Sequence, residues 1–425
     1  MKTTLTRALQ IYRDAYTGHP REVWALATLT VINRMGTMVL PFLTVYMSTV
    51  LGFSLSDAGL LAGAFGLGAL GGSYLAGRLS DHLGPDPVIL ASLLVSGVFF
   101  ISLQYAEGFY SLFVLIFCTG LFGEAYRPAV MASVGSYVPS SRVGRSMAFL
   151  RLAASLGMSA APAIGGFVAV VLGYRWLFWI DGLTCITAGC YFWASSRNWQ
   201  KLAGGTKKED NEKDGTGAPP QHNRSYLAFL LATFLMGFGF IQWFQSVPVF
   251  IKSEWGFDER YIGMLMAGSS VLIILIELPA IHAIEQGGRL RASILAGLAL
   301  GGLSFLLFLL PKALGLCFLA MILWTLGGIF FLPFNNGLPL SMAPAARRGE
   351  YMAWYWMVWS LNGILGPILG LAFVEQWGWA AFWIALAVLA GASWWMNYRQ
   401  AGVLGEPPEK AGDKNKNHSE LPSSI

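Results

Sequence analysis

Residues 162–180 read PAIGGFVAVVLGYRWLFWI, and residues 367–384 read PILGLAFVEQWGWAAFWI. Each stretch begins with a proline, has a glycine eleven residues later and ends in a Phe-Trp-Ile run. Further Pro and Gly positions recur at the same offset of 205 residues, namely Pro128 and Pro333, Pro139 and Pro344, and Gly144 and Gly349. The recurrence predicts that the chain consists of two similar halves in parallel orientation, an internal repeat known from membrane proteins.

The composition predicts that both halves lie in a membrane. Hydrophobic residues make up 55% of the 425 residues and charged residues only 12%, whereas roughly a quarter of a soluble domain is charged. The 50 glycines and 16 tryptophans are typical of membrane helices, which pack through small residues and anchor at the interfaces through Trp. With a lipid-facing exterior, the net charge of +5 does not indicate a nucleic-acid partner.

Twelve apolar runs are long enough to span a bilayer, which takes about 20 residues. The predicted spans are 23–51, 58–79, 88–106, 111–138, 145–171, 175–197, 226–252, 260–284, 291–311, 313–341, 351–374 and 379–398. We therefore predict an all-α membrane protein with twelve transmembrane helices in two six-helix bundles, at 23–200 and 225–398. The other predicted segments are a cytoplasmic N-terminal segment, a charged Gly/Pro-rich linker and a cytoplasmic tail, at 1–22, 201–224 and 399–425.

Lys and Arg are distributed unevenly between the two sides of the predicted membrane. The side with the termini and the linker carries 21 of the 28, and the opposite loops carry four, namely Arg175, Lys252, Arg260 and Lys312. Cytoplasmic loops are enriched in Lys and Arg, so both termini are predicted to be cytoplasmic. The short linker and short loops favour a multi-pass protein of a bacterial inner (cytoplasmic) membrane.

The loop after the second span reads GRLSDHLG from Gly77 to Gly84. It resembles the loop signature of the major facilitator superfamily, in which an Asp follows a Gly by four residues and a second Gly follows three residues later. The resemblance covers essentially the whole chain. In that family the Asp caps a helix of the other half and latches one conformation, which implies this role for Asp81, with Gly77 and Gly84. Glu277 in the eighth span is also predicted to be a latch or capping residue.

The fifth span contains Gly157-x-x-x-Ala161-Pro162-x-x-Gly165-Gly166. This run is similar to the Gly/Pro signature of the exporting, proton-antiporting branches of the superfamily, with one Gly replaced by Ala. Small residues let helices approach closely, and Pro bends the helix axis. The resemblance therefore implies a helix-packing motif at these positions and the twelve-helix drug:proton antiporter branch.

Charged side chains within the spans are costly in lipid, so each one is a candidate for function. Glu124 and Arg127 lie three residues apart in the fourth span and share a helical face, and Arg34 lies in the first span. We interpret Glu124 as a carboxylate that takes up and releases a proton, with Arg127 or Arg34 balancing its charge. The alternatives are a fixed structural ion pair and, for Arg34, a contact with an anionic substrate group.

In the superfamily the first, fourth, seventh and tenth helices line a central cavity. The resemblance therefore implies a substrate cavity at Asn33, Met38, Tyr126, Gln242, Trp243, Gln245, Asn335 and Asn336. Trp356 and Trp359 of the eleventh span add an aromatic wall. Large aromatic side chains with few charges favour an apolar or amphipathic ligand, although each of them could equally fill a contact between helices.

The sequence contains no enzyme motif. A phosphate-binding loop, a His-Glu-x-x-His helix and a Gly-x-Ser-x-Gly elbow are all missing, and we predict no metal and no cofactor. Energy must then come from a gradient. We predict a monomeric secondary transporter that exports a small amphipathic molecule in exchange for protons, with the lipid bilayer as its other partner. The alternatives are a proton-coupled uptake symporter for peptides, sugars or organic acids, and a membrane receptor or scaffold that transports nothing.

Overall fold

The computed structural model describes residues 19–138, 140–197, 199, 218–287, 289–344 and 347–400. In these residues the regular structure is helical, and eleven helices are long and apolar enough to cross a membrane. They are α1 (Arg21–Val50), α2 (Leu55–Leu83), α3 (Pro85–Leu103), α4 (Phe109–Tyr137), α5 (Ser140–Val171), α6 (Tyr174–Ser196), α7 (Arg224–Ser253), α8 (Glu259–Gly287), α9 (Leu290–Leu306), α10 (Leu314–Met342) and α11 (Arg348–Arg399). The predicted N-terminal segment up to residue 18, the linker from 201 to 217 and the tail from 401 onward lie outside the described residues.

Within each half, short connections join successive helices, so the helices alternate in direction between two opposite faces of the molecule. We call the face at which α1 begins the terminal face, and it also contains Leu83, Arg224 and Arg348. The opposite face, which we call the distal face, contains Val50, Val171, Ser253 and Gly378.

α11 consists of two helical arms that meet at Gly378, where the backbone is not helical and has φ 79° and ψ 168°. Contacts with α7 give the direction of the two arms on either side: Tyr226 with Tyr351 and Gln242 with Gly366 for the first arm, and Ala232 with Ser393 and Phe250 with Trp379 for the second. Along the first arm, residue numbers increase in the same direction as along α7. Along the second arm, they increase in the opposite direction. The chain therefore reverses its direction at Gly378.

Gly173, which lies 205 residues before Gly378, has nearly the same backbone conformation, with φ 92° and ψ 165°. This conformation is essentially accessible only to glycine. The equivalent prolines Pro162 and Pro367 both lie inside helices, α5 and α11. The repeat in the sequence thus corresponds to a repeat in backbone geometry.

We expect Gly378→Ala to destabilise the protein, because an L-residue at this φ and ψ costs about 1–3 kcal/mol. The measurement is the thermal unfolding midpoint in detergent. Gly391→Ala is the matched control, since Gly391 lies inside the same helix and an added Cβ would have no neighbour within 4 Å. Equal effects of the two substitutions would contradict this prediction.

α1 covers nearly the same residues as the predicted span 23–51, but it is not one continuous helix. Its first segment ends at Met35, a new helical segment starts at Val39, and the last five residues, Tyr46–Val50, form a π-helix. α6 crosses at the break, where a Cβ atom on Gly36 would overlap the hydroxyl of Thr184. Glycine is therefore required for α1 to pass α6 at this point.

The two halves contact each other through glycines near the distal face. A Cβ on Gly59 of α2 would lie 2.5 Å from the Pro367 carbonyl oxygen of α11, and a Cβ on Gly263 of α8 would lie 2.6 Å from the Pro162 carbonyl oxygen of α5. Near the terminal face, by contrast, a Cβ on Gly77 of α2 would meet no atom within 4 Å.

The hydrophobic cores follow the same division. One core, near the distal face, contains buried residues of both halves, including Phe42 and Trp243. Near the terminal face each half has its own core, which contains Val23 and Tyr126 in the first half and Tyr226 and Tyr355 in the second. Among the described residues, the two halves therefore share a buried core near the distal face and have separate cores near the terminal face.

Candidate functional site

Glu124 of α4 lies between two arginines. Its Oε1 is 3.7 Å from Arg34 Nη1 of α1, and its Oε2 accepts a hydrogen bond of 3.2 Å from Arg127 Nη1 of α4. The exposed side-chain fractions are 11% for Arg34, 17% for Glu124 and 56% for Arg127. One carboxylate therefore links an almost buried cation and an exposed one, as the i,i+3 spacing on α4 allows.

Two neighbouring contacts position this group. A Cβ on Gly157 of α5 would lie 2.5 Å from Arg34 Cβ, so the glycine makes room for the arginine stem. One helical turn before Arg34, the hydroxyl of Thr30 donates to the Leu26 carbonyl at 2.7 Å and lies 2.7 Å from the hydroxyl of Tyr126. The tyrosine therefore donates to the threonine, and this bond joins α1 to α4.

A small cleft borders the group. Its lining includes Asn33, Gly36 and Thr37 of α1, Glu124 of α4 and Cys185 of α6. Because it contains charged and polar groups, this cleft can hold a water molecule. Glu124 can therefore exchange a proton with water although it lies in a membrane-spanning helix.

Of the three predicted cavity residues of the first half, Asn33 lines this cleft, whereas Tyr126 and Met38 are not among its lining residues. Asn33 is buried, and its Nδ2 is 3.7 Å from Cys185 Sγ. Tyr126 is buried at the contact with Thr30. Met38 is also buried and lies where α1 resumes after its break.

Gln242 of α7 is fully buried between helices. Its Nε2 donates to the Gly366 carbonyl of α11 at 2.7 Å, and its Oε1 accepts from the Ser246 hydroxyl at 2.6 Å. This side chain joins α7 to α11.

Trp243 and Gln245 lie in the part of α7 close to the distal face. Trp243 is buried and stacks on Trp324 with ring centroids 4.8 Å apart. Gln245 Oε1 accepts a hydrogen bond of 2.6 Å from the Thr44 hydroxyl of α1. Gln245 therefore connects the two halves where the molecule is closed.

A polar network lies in the second half, closer to the terminal face. The hydroxyl of Tyr355 donates to Asn336 Oδ1 and accepts a hydrogen bond of 3.1 Å from Asn335 Nδ2. Trp359 packs edge to face with Phe240 at 5.5 Å. Trp356 is 53% exposed. Tyr355 also contacts the rings of Trp356 and Trp359. The predicted amides Asn335 and Asn336 and the two predicted tryptophans are thus grouped around one tyrosine.

The predicted latch residues lie towards the terminal face, where each half has its own hydrophobic core. Asp81 is on the exposed end of α2, and Gly77 faces open space one turn earlier. Gly84 has φ 82° and forms the sharp connection between α2 and α3. Glu277 is half-buried in α8.

The predicted packing motif of α5 contacts two different helices. Gly157 and Gly165 face α1, at Arg34 and Met38 respectively. Pro162 and Gly166 face α8 of the other half. The motif therefore connects the charged group of α1 with the contact between the halves.

Two carboxylates that the sequence analysis did not single out lie at the closed distal face. Glu259 Oε1 of α8 accepts a hydrogen bond of 2.5 Å from the Tyr174 hydroxyl of α6 and lies 2.9 Å from Lys252 Nζ. Glu375 Oε2 of α11 accepts from the Ser56 backbone N–H in the first turn of α2 at 2.6 Å. Each carboxylate joins the two halves, and the rarity of acidic residues in this chain was the available signal for them.

We expect Glu259→Gln to weaken the distal closure, because Tyr174 of the first half then loses the charged acceptor of its hydrogen bond. Loss of a hydrogen bond to a charged group costs about 1.5–3 kcal/mol, which is a roughly 10- to 150-fold change in the ratio of closed to open molecules. Spin labels at Leu172 and Arg260 would report longer distances. Glu254→Gln, in the same exposed connection, is the control and should leave the distances unchanged; unchanged distances in Glu259→Gln would contradict the prediction.

A third carboxylate is Asp181 of α6, a charged residue within a predicted span and therefore a candidate for function. Its side chain is completely buried, and its two oxygens accept hydrogen bonds from the backbone N–H groups of Met38 and Val39, at 3.1 and 2.8 Å. A carboxylate within a predicted span was the signal in the sequence. Its partners were not foreseeable, because α1 was predicted to be unbroken.

Comparison with known proteins identifies the family. The model of the Major Facilitator Superfamily matches residues 26–363 and 227–423. The uncharacterized MFS-type transporter YttB of Bacillus subtilis (strain 168) is 22% identical over 375 residues, which are 87% of this chain and 92% of YttB.

Two other relatives match over shorter lengths. A multi-drug resistance efflux pump PmrA homolog of Lactococcus lactis subsp. lactis (strain IL1403) is 28% identical over 35% of this chain and 38% of its own length. Multidrug resistance protein MdtG of Citrobacter koseri (strain ATCC BAA-895 / CDC 4225-83 / SGSC4696) is 26% identical over 43% of this chain and 45% of its own. This chain thus spans less than half the length of these two proteins.

Solved structures show the same fold. A POT family transporter in complex with 5-aminolevulinic acid superposes with a TM-score of 0.76 at 14% identity, over 92% of this chain and 98% of the other. The peptide transporter POT in complex with sulfate gives 0.74 at 15% identity, over 92% and 97%. With the family model matched across the chain, these results show that the protein belongs to the major facilitator superfamily, whose members are membrane transporters and not enzymes.

Proposed function

We propose that this protein exports small amphipathic molecules in exchange for protons, and that Glu124 carries the proton. The observation that supports this most directly is the position of Glu124, between two arginines of different helices and beside a cleft that can hold water. When Glu124 takes up a proton, its attraction to both arginines is lost. α1 and α4 can then move relative to each other.

Exchange in opposite directions requires that proton and cargo do not occupy the site together. Arg127 is the more exposed of the two cations, so a cargo group that hydrogen-bonds to Glu124 can displace it. Such a group and a proton then compete for the same carboxylate oxygens. Each transport cycle therefore carries one or the other across the membrane, and the proton gradient drives export.

The proposed cargo is amphipathic because the predicted cavity residues of the second half are both aromatic and polar. Trp356 and Trp359 offer aromatic surface, and Asn335 and Asn336 offer hydrogen bonds. The names of two relatives refer to multidrug resistance, which supports export as the direction. The alternative, proton-coupled uptake, makes the opposite prediction in the assay below.

The proposed topology has twelve crossings, with α11 counted as two. Its arms, at 348–377 and 379–399, are about 45 and 30 Å long at 1.5 Å per residue, and each is long enough for a hydrocarbon core of about 30 Å. We place the terminal face, with both termini, in the cytoplasm because most Lys and Arg residues are on that side. The two halves, 23–200 and 225–398, act as one monomeric transporter in the inner membrane.

In this topology the structure is open to the cytoplasm and closed outside. Asp81, Gly77 and Gly84 are proposed to latch the terminal face in the opposite conformation, together with Glu277. Glu259 and Glu375 hold the distal face in the conformation described here. Alternation between the two sets of contacts moves cargo from one side to the other.

Transport into proteoliposomes under an imposed pH gradient tests this proposal. The probes are amphipathic dyes of permanent or no charge, because such dyes are not trapped by pH alone. Antiport predicts accumulation in vesicles with an acidic lumen, where protons leave as dye enters. Accumulation only with an acidic exterior would establish proton symport, and no protein-dependent flux under either gradient would favour a receptor or scaffold. Protein-free vesicles are the control.

A further inference from the structure

Asp181 is a buried carboxylate that the proposed mechanism does not use. It is 0% exposed in α6, and it accepts the backbone N–H groups of Met38 and Val39. These N–H groups begin the second segment of α1, after the break at Gly36, and cannot bond within that segment. The carboxylate therefore holds α1 in its broken form.

No cation among the described residues forms an ion pair with Asp181. Of the ionisable groups nearby, Cys185 of α6 interacts with both Asp181 and Arg34, and Arg34 is paired with Glu124. Tyr46 of α1 packs on Phe178, which is three residues before Asp181. The packed parts of α3 (88–103) and α5 (153–171) contain no ionisable side chain. A buried charge without a counter-ion is costly in a membrane, and only a proton is available to neutralise it.

The cleft beside Glu124 extends towards Asp181. Its lining includes Gly36 and Cys185 as well as Glu124. Cys185 is one helical turn from Asp181, and a Cβ on Gly36 would lie 3.4 Å from the Asp181 carbonyl oxygen. A water molecule held in this polar cleft therefore lies close to the surroundings of Asp181.

We propose that Asp181 is a second proton-binding site, close to the cleft beside Glu124. This inference rests on the proposed proton coupling of Glu124. When Asp181 takes up a proton from a hydronium ion, one O–H bond of the hydronium breaks and an O–H bond forms on Asp181. No electrons are exchanged.

Protonation of Asp181 weakens its contact with α1 at the break between Met35 and Val39. The oxygen that carries the proton becomes a donor and is a poor acceptor, so one of the backbone hydrogen bonds from Met38 and Val39 weakens. The segment that this bond holds also carries Thr44, whose hydroxyl bonds to Gln245 of the other half at the distal face. The second site thus links the proton to the contact that closes the distal face.

Asp181→Asn tests this proposal in proteoliposomes. Asparagine retains one acceptor oxygen for the backbone N–H groups of Met38 and Val39, but it cannot take up a proton. We expect dye exchange without a gradient to stay within about twofold of the native rate, and accumulation driven by a pH gradient to fall by at least about tenfold. Retained accumulation would overturn the proposal, and so would an equal loss of both activities, which would indicate a purely structural cap.

Asp86→Asn is the matched control. Like Asp181, Asp86 is in the first half and accepts two hydrogen bonds, but its donors are the side chains of Ser133, at 3.2 Å, and Tyr137, at 2.8 Å. Asp86 does not line the cleft. Both activities should be retained in this variant. If Asp181→Asn fails to fold, Asp181→Glu replaces it: a shifted pH profile of driven transport supports the second site, and an unchanged profile contradicts it.

The outcome for Glu124 separates this inference from the proposed function. If Glu124→Gln stays fully coupled, the proposed function fails. If Glu124→Gln is uncoupled while Asp181→Asn is coupled, only the second site fails.

Discussion

Glu124→Gln lowers dye accumulation driven by a pH gradient by about 100-fold or more, a loss that is typical when a proton-transferring group is removed. Glutamine has the size of glutamate and keeps one acceptor oxygen for an arginine, but its NH2 group is a donor and the side chain cannot take up a proton at the membrane centre. Exchange of dye without a gradient should continue, because it does not require a change in protonation. The two activities are measured in the same proteoliposome preparation.

Two further variants define this result. Glu107→Gln changes an exposed glutamate in the connection between α3 and α4 and should leave both activities unchanged. Glu124→Asp keeps the carboxylate on a shorter side chain and should retain part of the driven accumulation. The thermal unfolding midpoint is recorded for each, since Arg34 is nearly buried and loses a counter-charge in Glu124→Gln. Undiminished driven accumulation in Glu124→Gln would exclude Glu124 as the proton carrier.

Gly166→Val should prevent the distal face from closing. A Cβ on Gly166 of α5 would overlap the Glu259 carbonyl oxygen of α8 and would lie 3.2 Å from the Gly263 Cα. These are backbone atoms that cannot rotate away, and overpacking of this kind costs about 1–3 kcal/mol. The closed form would lose roughly 5- to 150-fold in relative population. Transport should fall by a similar factor, because every cycle passes through this closure.

Spin-label distances between α5 and α8 at the distal face measure this shift directly. Gly315→Val is the control, because Gly315 is at the distal start of α10 and an added Cβ would have no neighbour within 4 Å. This substitution should change neither the distances nor transport. Native distances and native transport in Gly166→Val would show that the contact between α5 and α8 is not what closes the face.

Local spacing was sufficient to predict the main chemical group. Glu124 and Arg127 share a face of one helix, so their contact follows from the i,i+3 spacing alone. The reversal at Gly378 could also be anticipated, because glycine ended one apolar run and preceded another. The sequence predicted two spans here, 351–374 and 379–398, and in the structure the two arms of α11 meet at Gly378 without an intervening loop.

Contacts between distant segments could not be predicted in this way. The bonds from Met38 and Val39 to Asp181 join residues more than 140 positions apart, and no periodic pattern encodes them. Gln242 was assigned to a cavity because of its helix, but its depth and direction depend on the Gly366 carbonyl across α11. The pattern of glycines also does not tell which face is closed, because α2 and α5 carry glycines along most of their length.

The facing glycines between the halves have a consequence for the rate of the conformational change. Surfaces without side chains do not interdigitate, so they can separate without a series of rotamer changes in a close-packed region. Collective motions of rigid bodies occur in microseconds to milliseconds. The slow step of a cycle should then be the release of the few charged contacts at Glu259 and Glu375, and its rate should respond more to ionic strength than to the viscosity of the membrane.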